Sequence, residues 1–331
     1  MSDVPADPFA ERSGRLMRRH YWLLGARFDF ESDSRRLLAL ADQAFAGLPE
    51  HRLAGAPRCR IRLVLRQATG ARPGSRAPSA PRLSAGAGLL CAVMDADNFA
   101  VVEPGERRAL VVVAPWALRF PYYLRYELIE FAVQTLASRS GELVPLHAAC
   151  LARRGRAVLL VGDSGTGKST LCLHGLIGGL EMVSEDSVFV AARGRKATGL
   201  ASFLHLRDDS LAAVDRGTAA ALRRAPTIRR RSGVSKYEID LRRQFTLARR
   251  PPRVSAVVFL SRRRRRGALL VAVSASAMLR RLRALQPYAV AATSWPAFER
   301  SLRGVGAFEL GRGEHPAASV AALRTLLESA D

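Results

Sequence analysis

The chain has 331 residues, 48% of them hydrophobic, and a formal net charge of +23. That length allows two domains or one large one, and the apolar content excludes wholesale disorder. So much positive charge would by itself point to nucleic acid or an anionic membrane, but only three lysines occur among 52 basic residues and arginines recur in every segment; this is a coding bias without a basic stripe, so neither specific nucleic acid nor membrane is expected as a partner.

The chain starts Met1-Ser2-Asp3-Val4-Pro5, without the basic start and apolar core of a signal peptide. No apolar run reaches the length of a membrane span, so a cytoplasmic protein is expected. Residues 21–30 read as a strand, and 34–48 as a helix from the spacing of Leu37, Leu38, Leu40 and Ala41. Residues 60–65 alternate as a half-buried strand. The stretch 67–86, rich in proline, glycine, serine and alanine, reads as a flexible loop. Strands are expected at 89–94, 99–102 and 109–113, then a helix over 121–138 with Leu124, Leu128, Phe131, Ala132 and Leu136 on one face. Residues 1–140 are thus expected to form an N-terminal mixed α/β domain. Cys59, Cys91, Cys150 and Cys172 lie far apart, without the spacing of a zinc site or a disulfide framework.

The second half, 141–331, opens with an expected hairpin of 144–151 and 157–161, turned at Arg153-Arg154-Gly155-Arg156. The apolar run Ala157-Val158-Leu159-Leu160-Val161 leads into Gly162-Asp163-Ser164-Gly165-Thr166-Gly167-Lys168-Ser169-Thr170, and apolar residues at helical spacing follow to Ile177. This is a phosphate-binding loop in its required setting, between a strand and a helix. Its glycines allow backbone conformations that bring several amide hydrogens onto one phosphate at a helix N-terminus. Lys168 then reaches the outer phosphates, and Ser169 offers a hydroxyl to magnesium. A nucleoside triphosphate with magnesium is therefore expected as ligand.

Two carboxylates, Glu185 and Asp186, arrive soon after the loop helix in Met182-Val183-Ser184-Glu185-Asp186-Ser187-Val188. If 188–190 form a strand beside 158–161, the pair enters at its beginning, near the phosphates. One acid would hold magnesium with Ser169, Asp186 being the candidate, while the other takes a proton from an acceptor hydroxyl. Asp208 and Asp209 also form a pair, which helix capping explains better than metal binding. His174 and His205 show no partner pattern. Lys236 opens the alternating strand 236–241 behind the basic loop Arg229-Arg230-Arg231-Ser232-Gly233, and reads either as a strand-edge lysine or as a second phosphate contact. The runs Arg229 to Arg231 and Arg262 to Arg266 read as solvated loops or turns. A strand over 254–260, a strand over 268–273 pairing with it across the arginine turn, and helices over 276–285 and 318–327 complete the chain.

The loop, its short helix, and Val183-Ser184-Glu185-Asp186-Ser187-Val188, together with Pro145-Leu146-His147-Ala148-Ala149, resemble the catalytic domain of the bacterial HPr kinase/phosphorylase family and its kinase-related branches. The resemblance is good over about residues 143–192. It implies an α/β fold: a P-loop kinase domain of the HPr kinase/PEP carboxykinase-like type over 141–331, with the N-terminal domain available for acceptor recognition. It further implies ATP and Mg2+ as cofactors, Lys168 and Ser169 on phosphate and metal, paired acids activating a serine hydroxyl, and His147 at the site; without the resemblance, His147 would read as a strand-end imidazole held by backbone. Where the family has two aspartates, this chain has Glu185 first, which leaves open which acid is the base. The missing downstream glycine signature implies a kinase without efficient phosphorylase activity. The acceptor implied is a protein or peptide, including precursor peptides of modified natural products, with a small hydroxyl compound such as free serine as the alternative. A hydrolysing P-loop switch is the other class, although the strand 254–260 ends in Ser261 and arginines, without the carboxylate such a protein needs. The family's better-known members form symmetric oligomers, so a homo-oligomer is compatible with the resemblance.

Overall fold

The computed structural model describes residues 15–67, 77–265 and 269–329. Met1 to Pro5, residues 68–76 of the expected loop, Arg266 and Ala268 lie outside the described residues. By its contacts the chain forms two units: Met1–Tyr21, Arg27–Ala46 and Pro57–Leu136 in one, and Trp22–Ala26, Gly47–Ala56 and Ala137–Asp331 in the other. The whole is mixed α/β, with several sheets.

The first unit carries a seven-stranded sheet built from β1 (Met17–Leu23), β2 (Ala26–Ser32), β3 (Arg58–Leu65), β4 (Arg82–Gly86), β5 (Leu89–Val93), β6 (Phe99–Glu103) and β7 (Arg108–Val113), in the order β1-β2-β3-β7-β6-β5-β4. β2, β3 and β7 run parallel, and β7 through β4 form an antiparallel meander. The single strand expected over 21–30 is two, because Leu24 and Gly25 take positive φ (50° and 78°) and turn the chain. The end of the expected flexible loop is strand β4. The helix Arg35–Phe45 starts where Ser34 accepts the Leu37 amide, and buries Leu37, Leu38, Ala41 and Phe45. The helix expected over 121–138 is helical throughout, but in three pieces: a turn Pro121–Leu124, a π-helical turn Arg125–Ile129 and an α-helix Glu130–Ser140.

The second unit contains β8 (Leu143–His147), β9 (Ala149–Arg153), β10 (Arg156–Val161), β11 (Glu181–Ser184), β12 (Ser187–Ala191), β13 (Ala197–Gly199), β14 (Phe203–Leu206), β15 (Thr227–Arg229), β16 (Ser235–Asp240), β17 (Arg253–Arg264), β18 (Leu270–Ala272) and β19 (Gly306–Arg312). They form a six-stranded sheet, β11-β9-β10-β17-β19-β18, and two three-stranded sheets, β13-β12-β8 and β14-β16-β15. β17 is parallel to both β10 and β19. Strands flanked on both sides in this way are covered on both faces, which is why 157–161 of β10 and 256–260 of β17 read as unbroken apolar runs. Ala157, Leu159 and Val161 of β10 join one core with Met278, Leu282 and Phe298. Val158 and Leu160 join the other, with Leu171 and Leu176 of the helix Lys168–Ile177 and Leu323 and Leu327 of the helix Pro316–Ser329.

Three sequence expectations change here. The strand expected over 144–151 breaks at Ala148, where the chain passes from the β12 sheet to the β10 sheet; only β9 forms the hairpin with β10, through a turn at Arg154 and Gly155 with φ of 50° and 78°. β12 does not run beside β10 but lies between β8 and β13. β18 pairs with β19, not with β17, and the arginines expected to form a turn instead prolong β17 to Arg264. The unforeseen strand β19 takes the place beside β17 that 268–273 was expected to occupy.

His51, on the segment Gly47–Ala56, is buried in this second unit, its Nδ1 2.9 Å from the Thr198 hydroxyl and its Nε2 2.7 Å from the Ala248 carbonyl. Burial holds its pKa below the ordinary histidine value. Among the described residues no helix is long and apolar enough to cross a membrane.

Candidate functional site

The glycine loop connects the end of β10 to the helix Lys168–Ile177. Gly165 and Gly167 lie at φ of 78° and 100°, a region that side-chain-bearing residues rarely adopt. A Cβ on Gly162 would fall 2.9 Å from the Thr166 hydroxyl oxygen. Thr166 closes the turn, its amide and hydroxyl both donating to the Asp163 carbonyl at 3.2 and 2.8 Å. Lys168 is buried and folds over the loop, Nζ donating to the carbonyls of Gly162 at 2.6 Å and Asp163 at 3.3 Å. Arg262 of β17 donates to the Ser164 carbonyl at 3.1 Å, and Arg312 of β19 holds a guanidinium nitrogen 3.5 Å from the carbonyls of Gly165 and Thr166. Thr170 donates to the Ser210 hydroxyl at 3.0 Å. The free amides of the first helical turn, the helix dipole and these cations together favour an anion at the loop.

Glu185 and Asp186 occupy the link between β11 and β12 and meet different surroundings. The Ser169 hydroxyl donates to Glu185 Oε1 at 2.7 Å. The other carboxylate oxygen of Glu185 accepts the backbone amide of His205 at 3.1 Å and lies 3.2 Å from its Nδ1, while His205 Nε2 lies 3.5 Å from Glu238. All three side chains are largely withdrawn from water, at 11%, 5% and 6% exposure for Glu185, His205 and Glu238. Burial acts to raise the Glu185 carboxyl, but the hydrogen bonds from His205 and Ser169 and the charges of His205 and Lys236 outweigh it, leaving the pKa below the ordinary carboxylate value. Burial likewise acts to lower His205, and its two carboxylate neighbours reverse that, favouring the imidazolium with both ring nitrogens as donors.

Asp186 faces outward. Its carboxylate lies 3.4 Å from His147 Nδ1, and both side chains are about half exposed, at 53% and 54%. The backbone explains the meeting: His147 ends β8 directly opposite Ser187 of β12, which puts Asp186 beside the imidazole. Gln286, buried at the end of the helix Ala275–Leu285, accepts the His147 amide at 2.7 Å and donates to the His147 carbonyl at 3.1 Å, fixing this strand end.

Lys168, Ser169 and Glu185 thus come together at the loop, with Asp186 and His147 as a second pair. Ser169 meets Glu185, not the neighbouring Asp186 that was expected to share a metal with it. Asp208 and Asp209 cap no helix by their side chains: Asp208 pairs with Arg223, Asp209 with Arg207, and the next helix is capped by Asp215. Sequence reading missed His205, Glu238, Gln286, Arg262 and Arg312. The one local sign for His205 is a histidine within the buried stretch Phe203-Leu204-His205-Leu206; the others have none.

No protein-family model matches this sequence, and no curated protein does. Among solved structures, an HPr(Ser) kinase/phosphatase from Coxiella burnetii aligns over 56% of this chain and 87% of its own, at 13% identity and a TM-score of 0.29. At that score the likeness carries no argument about activity, and any reading of function rests on the loop and its carboxylates.

Proposed function

We propose that this chain is an ATP-dependent, magnesium-requiring kinase that phosphorylates a serine or threonine hydroxyl of a peptide or protein, natural-product precursor peptides included. The observation that supports it is the division of labour at the loop: one carboxylate is bound to Ser169 and caged, and its neighbour stands open beside a histidine. A hydrolysing switch needs only the first.

The residues fit both ligands. The loop provides glycine-permitted amides, a lysine and a helix N-terminus for phosphate. The Ser169 hydroxyl and Glu185 carboxylate, 2.7 Å apart, are the hard oxygen donors that magnesium selects. Bound there, the metal would offset charge on the phosphate oxygens. Lys168 would turn from the loop carbonyls to the phosphates. Asp186 would accept the proton of the acceptor hydroxyl as its oxygen attacks the terminal phosphorus, with His147 orienting the carboxylate. In this reading Glu185 takes the metal position and Asp186 the base, within an HPr kinase-like domain over 141–331 and with 1–140 recognising the acceptor.

The test is transfer from gamma-labelled ATP with magnesium, offering candidate peptides, a carrier protein and free serine in parallel, followed by mass spectrometry. One added phosphate on a peptide or protein hydroxyl, absent with Lys168→Ala, is the expected result. Phosphate release without a labelled acceptor would replace the kinase by a hydrolysing switch, and phosphoserine would replace the peptide acceptor by a small molecule.

A further inference from the structure

Lys236 is a cation that the proposed chemistry leaves unused. It lies on β16, which is the central strand of the sheet β14-β16-β15. Lysines that guard against unwanted strand pairing belong on edge strands, so that explanation does not apply. Along a strand, alternate residues share a face; Lys236 therefore projects on the same side as Glu238, which stands opposite His205 in the register. Since His205 contacts Glu185, this face is turned toward the glycine loop.

The electrostatics agree with that placement. The Lys236 ammonium is half-buried, and burial holds its pKa below the ordinary lysine value, opposed by the negative charges of Glu185 and Asp186 and assisted by the like charges of Arg230 and Arg207. It makes no hydrogen bond or ion pair with any described residue. A half-buried ammonium within the field of both acids, yet bonded to neither, is placed to meet an anion held between them and itself. Composition adds weight. With three lysines among 52 basic residues, a compact ammonium in this chain stands where arginine is otherwise the rule, and Lys168 is another at the same site. An ammonium presents a point charge with rotatable donors, suited to a phosphoryl group whose oxygens move during transfer.

We propose that Lys236 is a second phosphate-binding cation beside Lys168, contacting the non-bridging oxygens of the terminal phosphoryl group. This rests on the kinase reading above. In the transfer step the acceptor oxygen bonds to phosphorus, the bond from phosphorus to the β–γ bridging oxygen breaks, its electron pair leaves with the diphosphate, and the hydroxyl proton passes to Asp186. Lys236 forms no covalent bond and keeps its protons; it offsets charge on the group in flight.

A contact to the terminal phosphoryl group alone separates ATP from ADP. Equilibrium binding of MgATP and MgADP to the full chain, by calorimetry, tests it without reference to turnover. Lys236→Met should weaken ATP about tenfold or more, as for loss of a charge-assisted hydrogen bond, and leave ADP within about twofold; Lys236→Arg should keep most of the discrimination. An equal loss for both nucleotides would make Lys236 a structural residue, and no change in either would make it a solvated one; each overturns the proposal. Should Lys236→Met not fold, Lys236→Gln reads the same ratio. Failure of the wild-type chain to bind either nucleotide would remove the kinase reading itself, and this inference with it, so the two failures are distinguishable.

Discussion

Glu185 and Asp186 are neighbours in the chain and opposites in the fold. Around Glu185 lies a dry cage of Ser169, His205 and Glu238; around Asp186 lie solvent and the half-exposed His147. The divergence follows from their position in the short link between β11 and β12, where successive side chains leave toward different neighbours. The lesson concerns how a pair of acids divides work. A buried carboxylate that already accepts three hydrogen bonds is stabilised as the anion and suits a fixed metal position, whereas a base must gain and lose a proton and needs an open approach for its acceptor. In the proposed reading, environment and not chain order assigns the roles.

The comparison is broken most severely by Asp186→Asn. Transfer should fall about 10²- to 10⁴-fold with loss of a general base, while nucleotide affinity and melting temperature stay near wild type, because Asp186 is half exposed and outside the cage. Steady-state kinetics beside calorimetric binding check this, and unchanged turnover would remove the base from Asp186. The cage should respond in the reverse pattern. His205→Ala leaves two carboxylates buried without their shared cation, a change that costs about 3–5 kcal/mol in such settings and should raise the magnesium requirement about 10- to 100-fold. Denaturant unfolding and a magnesium titration of nucleotide binding read the two effects separately; a variant as stable as wild type would show the cage to be inert.

A smaller effect sharpens the contrast between caged and uncaged histidines. His205 is raised by its carboxylates and His51 is lowered by burial. A raised folded pKa contributes stability that is full below the unfolded value near 6.5 and lost as pH rises through the folded pKa. A lowered one gives full stability above about 6.5, with the loss beginning as pH falls through that value and complete below the folded pKa. Thermal melts across this range should therefore show His205→Gln flattening the alkaline limb and His51→Gln flattening the acid limb. Either limb unchanged in its variant would contradict the corresponding environment.

What could be read from the chain divides along the same line. The glycine loop was legible because its demands are local: positive φ at Gly165 and Gly167, an apolar strand before and a helix after, all within about twenty residues. The helices Arg35–Phe45 and Ala275–Leu285, expected over 34–48 and 276–285, were legible for the same reason, since the spacing of apolar residues along a helix is local. β19 was not, because its seven residues begin and nearly end on glycine, which weakens strand propensity, and only its place between β17 and β18 makes it a strand. The pairing of β12 with β8 was equally hidden, and with it the meeting of Asp186 and His147.

By itself, then, the sequence determined a glycine loop of phosphate-binding pattern, a pair of acids close behind it and an α/β character. Tertiary structure alone decided that Ser169 belongs to Glu185, that His205 and Glu238 complete a buried cage, and that Lys236 stands on a central strand. The physical reason is distance along the chain. Glu185, His205 and Glu238 are separated by 20 and 33 positions, and no local period records a contact that arises only when β14 and β16 lock into register behind the loop.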